Sequence, residues 1–477
     1  GYEVAVYEKN SRLGGRANRL EVKGFTFDMG PSWYLMPDVF EHFFALLGEK
    51  ISDHLKLDKI EPSYRVFFKD TGKKLSLYTE PHRLAELFES LEKGSSAKLE
   101  EYLKQSEEHY RIAMGQFIYK NYDSFTDFFS LRLIQEGLKL KIFSKMQNYV
   151  EKYFKSPEIH KIMQYPLVFL GNSPYNAPAL YNLMSYVDFG QGVFYPQGGI
   201  YEIIKALVRI GEKRGVKFFA GKPVKEILEA NGQAKGIRLD DGQEIGADMV
   251  ISNADLHHTE QALIKNPGLR DHSEQYWQSR VMAPSGFIGY LGVKGKLPQL
   301  EHHNLIFSLD WRKNFGQIFD YPQWPDDPSM YVCMPSAVDP STAPEGHENI
   351  FIFVPIASGL PENESIRQEF AKKILAVIAK EANILDLEER IVYKQWFSGK
   401  GFETKYNSFK GSALGLAHTL WQTAIFRPNN VSKKIKNLFY VGGNTNPGIG
   451  LPMCLISAEL ALKRIIGDRS SGPLTKS

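Results

Sequence analysis

The first twenty residues, GYEVAVYEKNSRLGGRANRL, place the tightest constraint on what this chain can fold into. Tyr2 to Tyr7 alternates and stops at an acidic residue, Glu8, and the chain then runs into Gly14 and Gly15 between Arg12 and Arg16. An alternating strand that ends on a carboxylate and turns through glycines matches the second strand of a nucleotide-binding βαβ unit. In such a unit a G-x-G-x-x-G turn brings backbone against a pyrophosphate, and a carboxylate about 20 residues further on takes the ribose hydroxyls. Here no G-x-G-x-x-G precedes Glu8, and the sequence does not start with Met. The pattern therefore implies roughly 25 to 30 further residues to the left, comprising one strand, its glycine loop and most of a helix. The plainer alternative is a solvated strand end followed by an ordinary turn.

A chain of 477 residues is too long for one ordinary core and predicts two or three domains. Basic residues outnumber acidic ones by 58 to 55, a net charge of +3 that argues against a nucleic-acid partner. Cys333 and Cys454 stand far apart in sequence without metal-type spacing, so no metal is expected and a reducing compartment is. No apolar run reaches the roughly 18 residues of a membrane-spanning helix; the stretch from Ile350 to Ala357 is strand-sized.

Along the chain, Glu21 to Phe27 reads as one strand, GPSWYLMPD as a loop, and Val39 to Leu47 as a short helix entered through Pro37 and Asp38. Residues 80 to 155 read as helical. Within them FTDFFSLRLIQEGLKLKIFSKMQNYVEKYF sets apolar residues at helical spacing beside Arg132, Lys139, Lys141, Lys145 and Lys152. That is the pattern of an amphipathic helix resting on an anionic bilayer, or equally of a helix packed on its own domain with a solvated basic face. Alternation of helix and strand resumes over 195 to 255, with a helix from Gly198 and Gly199, strands at Val216 to Phe219 and Val224 to Leu228, and an Asp-Asp-Gly turn after Leu239. The run through Val250, Ile251 and Ser252 predicts a buried parallel strand. Further strands are expected at 285 to 293 and 349 to 357, a helix at 364 to 381, and a disordered tail in SSGPLTKS.

Near the C-terminus NLFYVGGNTNPGIGLPMCLISAELALKRII repeats the logic of strand, glycine turn and helix N-terminus, which offers backbone N–H groups to an anion. Glu8 with Gly14, Gly15 and Arg16 resembles the E-x(5)-G-G-R signature of the flavin amine oxidase superfamily. GGNTNPGIGLP resembles the C-terminal FAD segment of its bacterial-type phytoene desaturase (carotenoid desaturase) branch. FDMGPSW, the YPQGG helix start, ISNAD, the His302 and His303 pair, SAVDPSTAPEG and GSALGLAHTLWQTAIFRPNN are similar to that branch as well, in the same order along the chain.

The resemblance implies an α/β chain with a Rossmann-type FAD-binding domain over 1–80, 195–255 and 400–470. An interleaved α+β substrate domain would cover 256–399, and a helical, membrane-facing insertion 81–194. FAD would be held by Glu8 at the ribose, Gly14 and Gly15 at a close backbone approach, Arg16 at the pyrophosphate and Val224 at the adenine edge. Gly443, Asn444, Gly448, Ile449, Gly450 and Leu451 would sit by the second phosphate and the flavin ring. The substrate implied is phytoene or a related carotene, gripped by apolar area alone, and the aromatic-rich segment 110 to 190 would line its tunnel. Asp28, His302 and His303 are polar candidates for the proton-accepting step, each with a structural role as the bland alternative. Quinone or oxygen would take the electrons, on the inner face of the cell membrane. Rival readings are a desaturase or isomerase acting on a later or hydroxylated carotenoid, and a non-catalytic prenyl-lipid escort of the same architecture.

Overall fold

SGFIGYLGVK, from Ser285 to Lys294, shows why the central sheet forms. Successive side chains of a strand face opposite ways. Phe287, Leu291 and Val293 enter one apolar cluster, Ile288 and Tyr290 another, and nearly every residue of the strand is buried. A strand covered on both faces belongs in mid-sheet. Ser285–Lys294 accordingly pairs antiparallel with His347–Ile356 on one side and Ile391–Phe397 on the other. Beyond His347–Ile356 the sheet continues through Met330–Cys333, His303–Phe307, Tyr64–Phe68 and Lys74–Leu77, seven strands in all. One face is covered by the helix Glu364–Ala382 through Phe370, Ile374 and Ile378. The other looks toward the helical region.

The computed structural model describes residues 1–123 and 144–475. Tyr64–Phe68 and Lys74–Leu77, grouped above with the FAD-binding part, belong instead to this seven-stranded sheet, because Tyr64–Phe68 runs parallel beside His303–Phe307. The single strand expected over Glu21 to Phe27 is a hairpin of Arg19–Val22 and Phe25–Asp28. Lys23 and Gly24 both have positive φ, 50° and 81°, and close a two-residue turn that splits the run.

Two parallel pairs stand apart from the large sheet: Ala5–Glu8 with Lys217–Ala220, and Val250–Ser252 with Leu438–Tyr440. The parallel pairing of Val250–Ser252 is as expected, but its burial is not. Ile251 is 53% exposed, and Val4, Val6 and Phe219 are also open, because these side chains line a cavity.

The helical region contains Pro81–Leu91, Ser95–Ala113, Met146–Tyr153 and Pro157–Gln164. Glu80 starts the first of these by accepting from the backbone N–H groups of His82 and Arg83. Most of the basic amphipathic stretch, including Arg132, Lys139 and Lys141, lies outside the described residues. Its described end contains a helix of its own, Met146–Tyr153, which buries Met146, Tyr149 and Val150 in the core beside the sheet. Among the described residues no helix is long and apolar enough to cross a membrane. The tail expected to be disordered is tied down as far as residue 474: Lys463 Nζ donates to the carbonyls of Tyr119, Ser470 and Gly472, and Leu474 N donates to Glu459.

Two buried carboxyls pin this frame. Asp28 accepts from Ile200 N (2.9 Å) and Tyr201 N (3.2 Å) at the start of the helix Tyr201–Lys213, and Asp188 accepts from the hydroxyls of Tyr64 and Tyr165, both at 2.9 Å. Burial pushes both carboxyls up to about 7 from an ordinary 3.8. A group that binds its proton more tightly folded than unfolded stabilises the fold fully below the unfolded value, and that stability is lost as pH rises toward the folded value. The unfolding free energy should therefore fall between pH 4 and pH 7, each carboxyl contributing at most about 4 kcal/mol. Asp188→Asn, which cannot ionise, should reduce that dependence, as followed by denaturant unfolding at pH 5 and pH 8.

Candidate functional site

A cavity of about 2650 Å³ begins between the two parallel pairs and continues to the seven-stranded sheet. Single-ligand pockets span roughly 300 to 1,000 Å³, so this one has room for more than one molecule. Its two ends differ in chemistry.

At the polar end Glu8 closes the strand Ala5–Glu8. Its Oε1 accepts from Asn10 N (2.8 Å) and Asn10 Nδ2 (2.7 Å), which leaves Oε2 for a ligand. Gly14 follows with φ +108°, where a Cβ would sit 2.5 Å from the carbonyl oxygen of Ala17; only glycine makes that turn. Gly15 has φ +56° and open space around it. Arg16 donates from Nη2 to Ser408 and lies 3.9 Å from Asp255, while its solvent-shielded Nε has no partner. Val224, half-buried at the start of Val224–Ala230, borders the same space.

Across the cavity the loop after Leu438–Tyr440 presents Gly443, Asn444, Ile449, Gly450 and Leu451. The helix Leu451–Ile466 starts here with Gly450 as its N-cap and no side-chain cap, so its first N–H groups keep their pull on an anion. Gly448 turns away: its missing Cβ would lie 2.2 Å from the His418 ring.

Three residues that sequence reasoning did not single out hold this loop. Asp255, its side chain fully buried, accepts from Asn444 Nδ2 at 3.0 Å, and Asn444 Oδ1 accepts from Leu416 N at 3.0 Å. His418 Nε2 accepts from Ile449 N at 3.2 Å. Arg427 donates to the carbonyl oxygens of Leu416, Gln422, Gly443 and Thr445. The signal was present in ISNAD and GSALGLAHTLWQTAIFRPNN, but polar residues on loops disclose their burial only once the chain is folded.

Asp28, His302 and His303 do not border the cavity. Asp28 caps the helix Tyr201–Lys213. His303 stacks on Trp33 with ring centroids 4.0 Å apart and contacts Tyr331 Oη through Nδ1 at 2.7 Å. Burial pushes His302 down to about 3 and His303 well below its ordinary value, so both are neutral. Cys333 faces His303 across paired strands, and ligand atoms of these three side chains lie within 4.8 Å of one another, a proximity that sequence spacing could not show.

The far end of the cavity is apolar. Met184, Phe169 and Phe117 face it from the helical region and Leu305, Phe307 and Phe351 from the sheet, as the aromatic surplus of 110 to 190 predicted. The carboxylates that border the cavity among the described residues are Glu3, Glu8, Asp240, Asp248 and Asp255, none of them in those two walls.

The family described as Flavin containing amine oxidoreductase matches residues 1–466. The chain belongs to that family. FAD is its cofactor, and it is an FAD-dependent oxidoreductase. It is 46% identical over 471 residues to a carotenoid 3,4-desaturase of Haloarcula japonica, covering 98% of this chain and 94% of the relative. It is 35% identical to a zeta-carotene-forming phytoene desaturase of Myxococcus xanthus, covering 98% and 90%. An oxidoreductase structure from Methanosarcina mazei shares the fold, with a TM-score of 0.59 at 17% identity over 97% of this chain and 94% of that one. The polar end suits the cofactor: an unpartnered arginine Nε and an uncapped helix N-terminus for phosphates, and a free carboxylate oxygen for hydroxyl donors.

Gly14→Ala should sharply reduce the ratio of visible flavin absorbance to protein absorbance in purified protein, because the turn cannot form. Gly15→Ala, strained only by its φ, should cost about 1 kcal/mol and keep most of the flavin.

Proposed function

We propose that this chain desaturates a carotenoid, removing two hydrogens from neighbouring carbons of a long isoprenoid chain. The observation that carries this reading is the continuity of the polar cradle with an apolar space walled by helix and sheet. A hydrocarbon has no charged group to hold, so recognition rests on buried area at about 25 cal/mol per Å² before ordering costs.

In this reading Glu8 Oε2 accepts from the adenosine ribose, and Val224 backs the adenine. Gly14 lets the chain approach the pyrophosphate, where Arg16 Nε completes its bonding. Gly443, Asn444, Gly450 and Leu451 take the second phosphate and the flavin edge, while Gly448 shapes the loop from behind. Bound FAD supplies the hydride acceptor. The chain's own part is to align one C–H bond of the substrate with that acceptor, to keep the apolar walls dry, and to hold the loop still through Asp255, His418 and Arg427. Asp28, His302 and His303 act here as supports, since none reaches the cavity. The proton lost from the neighbouring carbon passes to water at the polar end of the cavity, since no carboxylate of the described residues borders the apolar walls.

The stronger likeness to a carotenoid 3,4-desaturase than to a phytoene desaturase favours a later, already conjugated carotenoid over phytoene itself. Such substrates dissolve in bilayers, which supports a peripheral position on the inner face of the cell membrane and a quinone or oxygen as electron acceptor. The escort reading has no use for Arg16 and the uncapped helix turned toward one space.

Purified protein should be yellow, and anaerobic addition of a conjugated carotene saturated at the 3,4 bond, in liposomes, should bleach the flavin as absorbance of a longer polyene appears. Phytoene should bleach it more slowly. Bleaching by phytoene alone would return the assignment to phytoene desaturation, and a colourless protein would overturn the enzyme reading.

A further inference from the structure

Arg427 is 2% exposed, and every bond it makes goes to an uncharged carbonyl: Nε to Thr445 O (3.0 Å), Nη1 to Gln422 O (3.1 Å), and Nη2 to Leu416 O (3.0 Å) and Gly443 O (2.5 Å). No carboxylate among the described residues stands within 4 Å of it. Arginine is almost never fully buried unless it is paired, because an uncompensated charge in a low dielectric is costly. Four carbonyls can be held by neutral donors, so clamping alone does not explain the charge.

Arg427 does not itself border the cavity, but the loop it lies behind does, and that position explains the charge better. A Cβ on Gly448 would lie 3.5 Å from the Arg427 guanidinium carbon, and Gly443 and Ile449 on either side of Gly448 line the cavity. His418 stands in the same corner. Burial, with Arg427's charge adding to it, holds its imidazole neutral, and its Nε2 is occupied by Ile449 N. The corner thus carries one fixed positive charge and the positive end of the helix Leu451–Ile466; the buried carboxylate on this loop, Asp255, is engaged by Asn444 and lies 3.9 Å from Arg16, and no carboxylate of the described residues pairs with Arg427.

We propose that Arg427 is the built-in counter-charge of the reduced flavin. The inference rests on the reading that sets the flavin ring against Gly443–Leu451. In desaturation the substrate loses a hydride and a proton and gains a carbon–carbon double bond. The hydride brings two electrons and one hydrogen to FAD, which becomes anionic unless it also takes up a second proton; the substrate's own proton departs separately. A fixed, buried cation beside the ring favours that anion over the oxidised form and so raises the reduction potential.

The test uses the full-length, FAD-loaded protein with Arg427→Gln, which keeps hydrogen-bond donors but not the charge, and Arg427→Lys, which keeps the charge. Redox titration against reference dyes should show the equilibrium constant for two-electron reduction at least tenfold lower in Arg427→Gln, a potential about 30 mV more negative. Arg427→Lys should stay within threefold of the unsubstituted protein. The pH dependence of the potential should show one proton taken up per two electrons in the unsubstituted protein over the neutral and mildly acidic range, moving toward two in Arg427→Gln. An unchanged potential in Arg427→Gln together with a lowered unfolding midpoint would overturn the proposal and leave Arg427 a loop clamp. If Arg427→Gln does not retain FAD, the proton count of the unsubstituted and Arg427→Lys proteins decides, and two protons in both would overturn it. Protein purified without flavin would overturn the reading of the site itself, before any potential is measured.

Discussion

A cavity of about 2650 Å³ that takes a cofactor at one end and a second molecule at the other must keep its shape, so its walls have to be supported from behind rather than by one another. The described elements serve that constraint. The seven-stranded sheet is backed by Glu364–Ala382 on one face and packs its other face against the helical region. The helical wall is braced through Asp188, which joins Tyr64 of the sheet to Tyr165 of the helical region. On the opposite side Asp28 ties the hairpin to the helix Tyr201–Lys213. Each brace lies in the wall and leaves the cavity clear.

Charge is sorted along the same axis. The carboxylates at the cavity border cluster where the cradle is, and the buried positive charge of Arg427 sits under the loop where cradle and apolar space meet. In the apolar part unpaired charge would cost more than a hydrocarbon ligand could return. Near the loop a positive charge costs less because four carbonyl oxygens accept from it. On the proposed reading, the boundary between the two environments would fall where a hydride crosses.

What the sequence disclosed was local or periodic. Glu8 to Arg16 is a single turn, and its spacing is its geometry. The double-sided burial of Ser285–Lys294 and the amphipathic helices follow from periods of two and 3.6. What stayed hidden depends on distant pairing. Tyr64–Phe68 joins the large sheet only because His303–Phe307, some 240 residues later, lies parallel to it. The hairpin at Lys23 and Gly24 turns on a positive φ at a lysine, which propensity does not signal. Arg427 in FRPNN and Asp255 in ISNAD look like surface residues until the loop 443–451 closes over them. The two histidines drew attention by their side-chain chemistry, yet their backbone set them behind the wall.

Glu8 also decides what the cradle refuses. With Oε1 committed to Asn10, a single carboxylate oxygen is left open toward the cavity, and it can only accept hydrogen bonds. On the proposed reading, a dinucleotide with a phosphate on its adenosine ribose would set like charges against each other at that oxygen, while the neighbouring Lys9 is already engaged by Thr404 O and Asn407 Oδ1. The carboxylate that would greet the ribose of FAD would thus also select against any dinucleotide phosphorylated at that sugar.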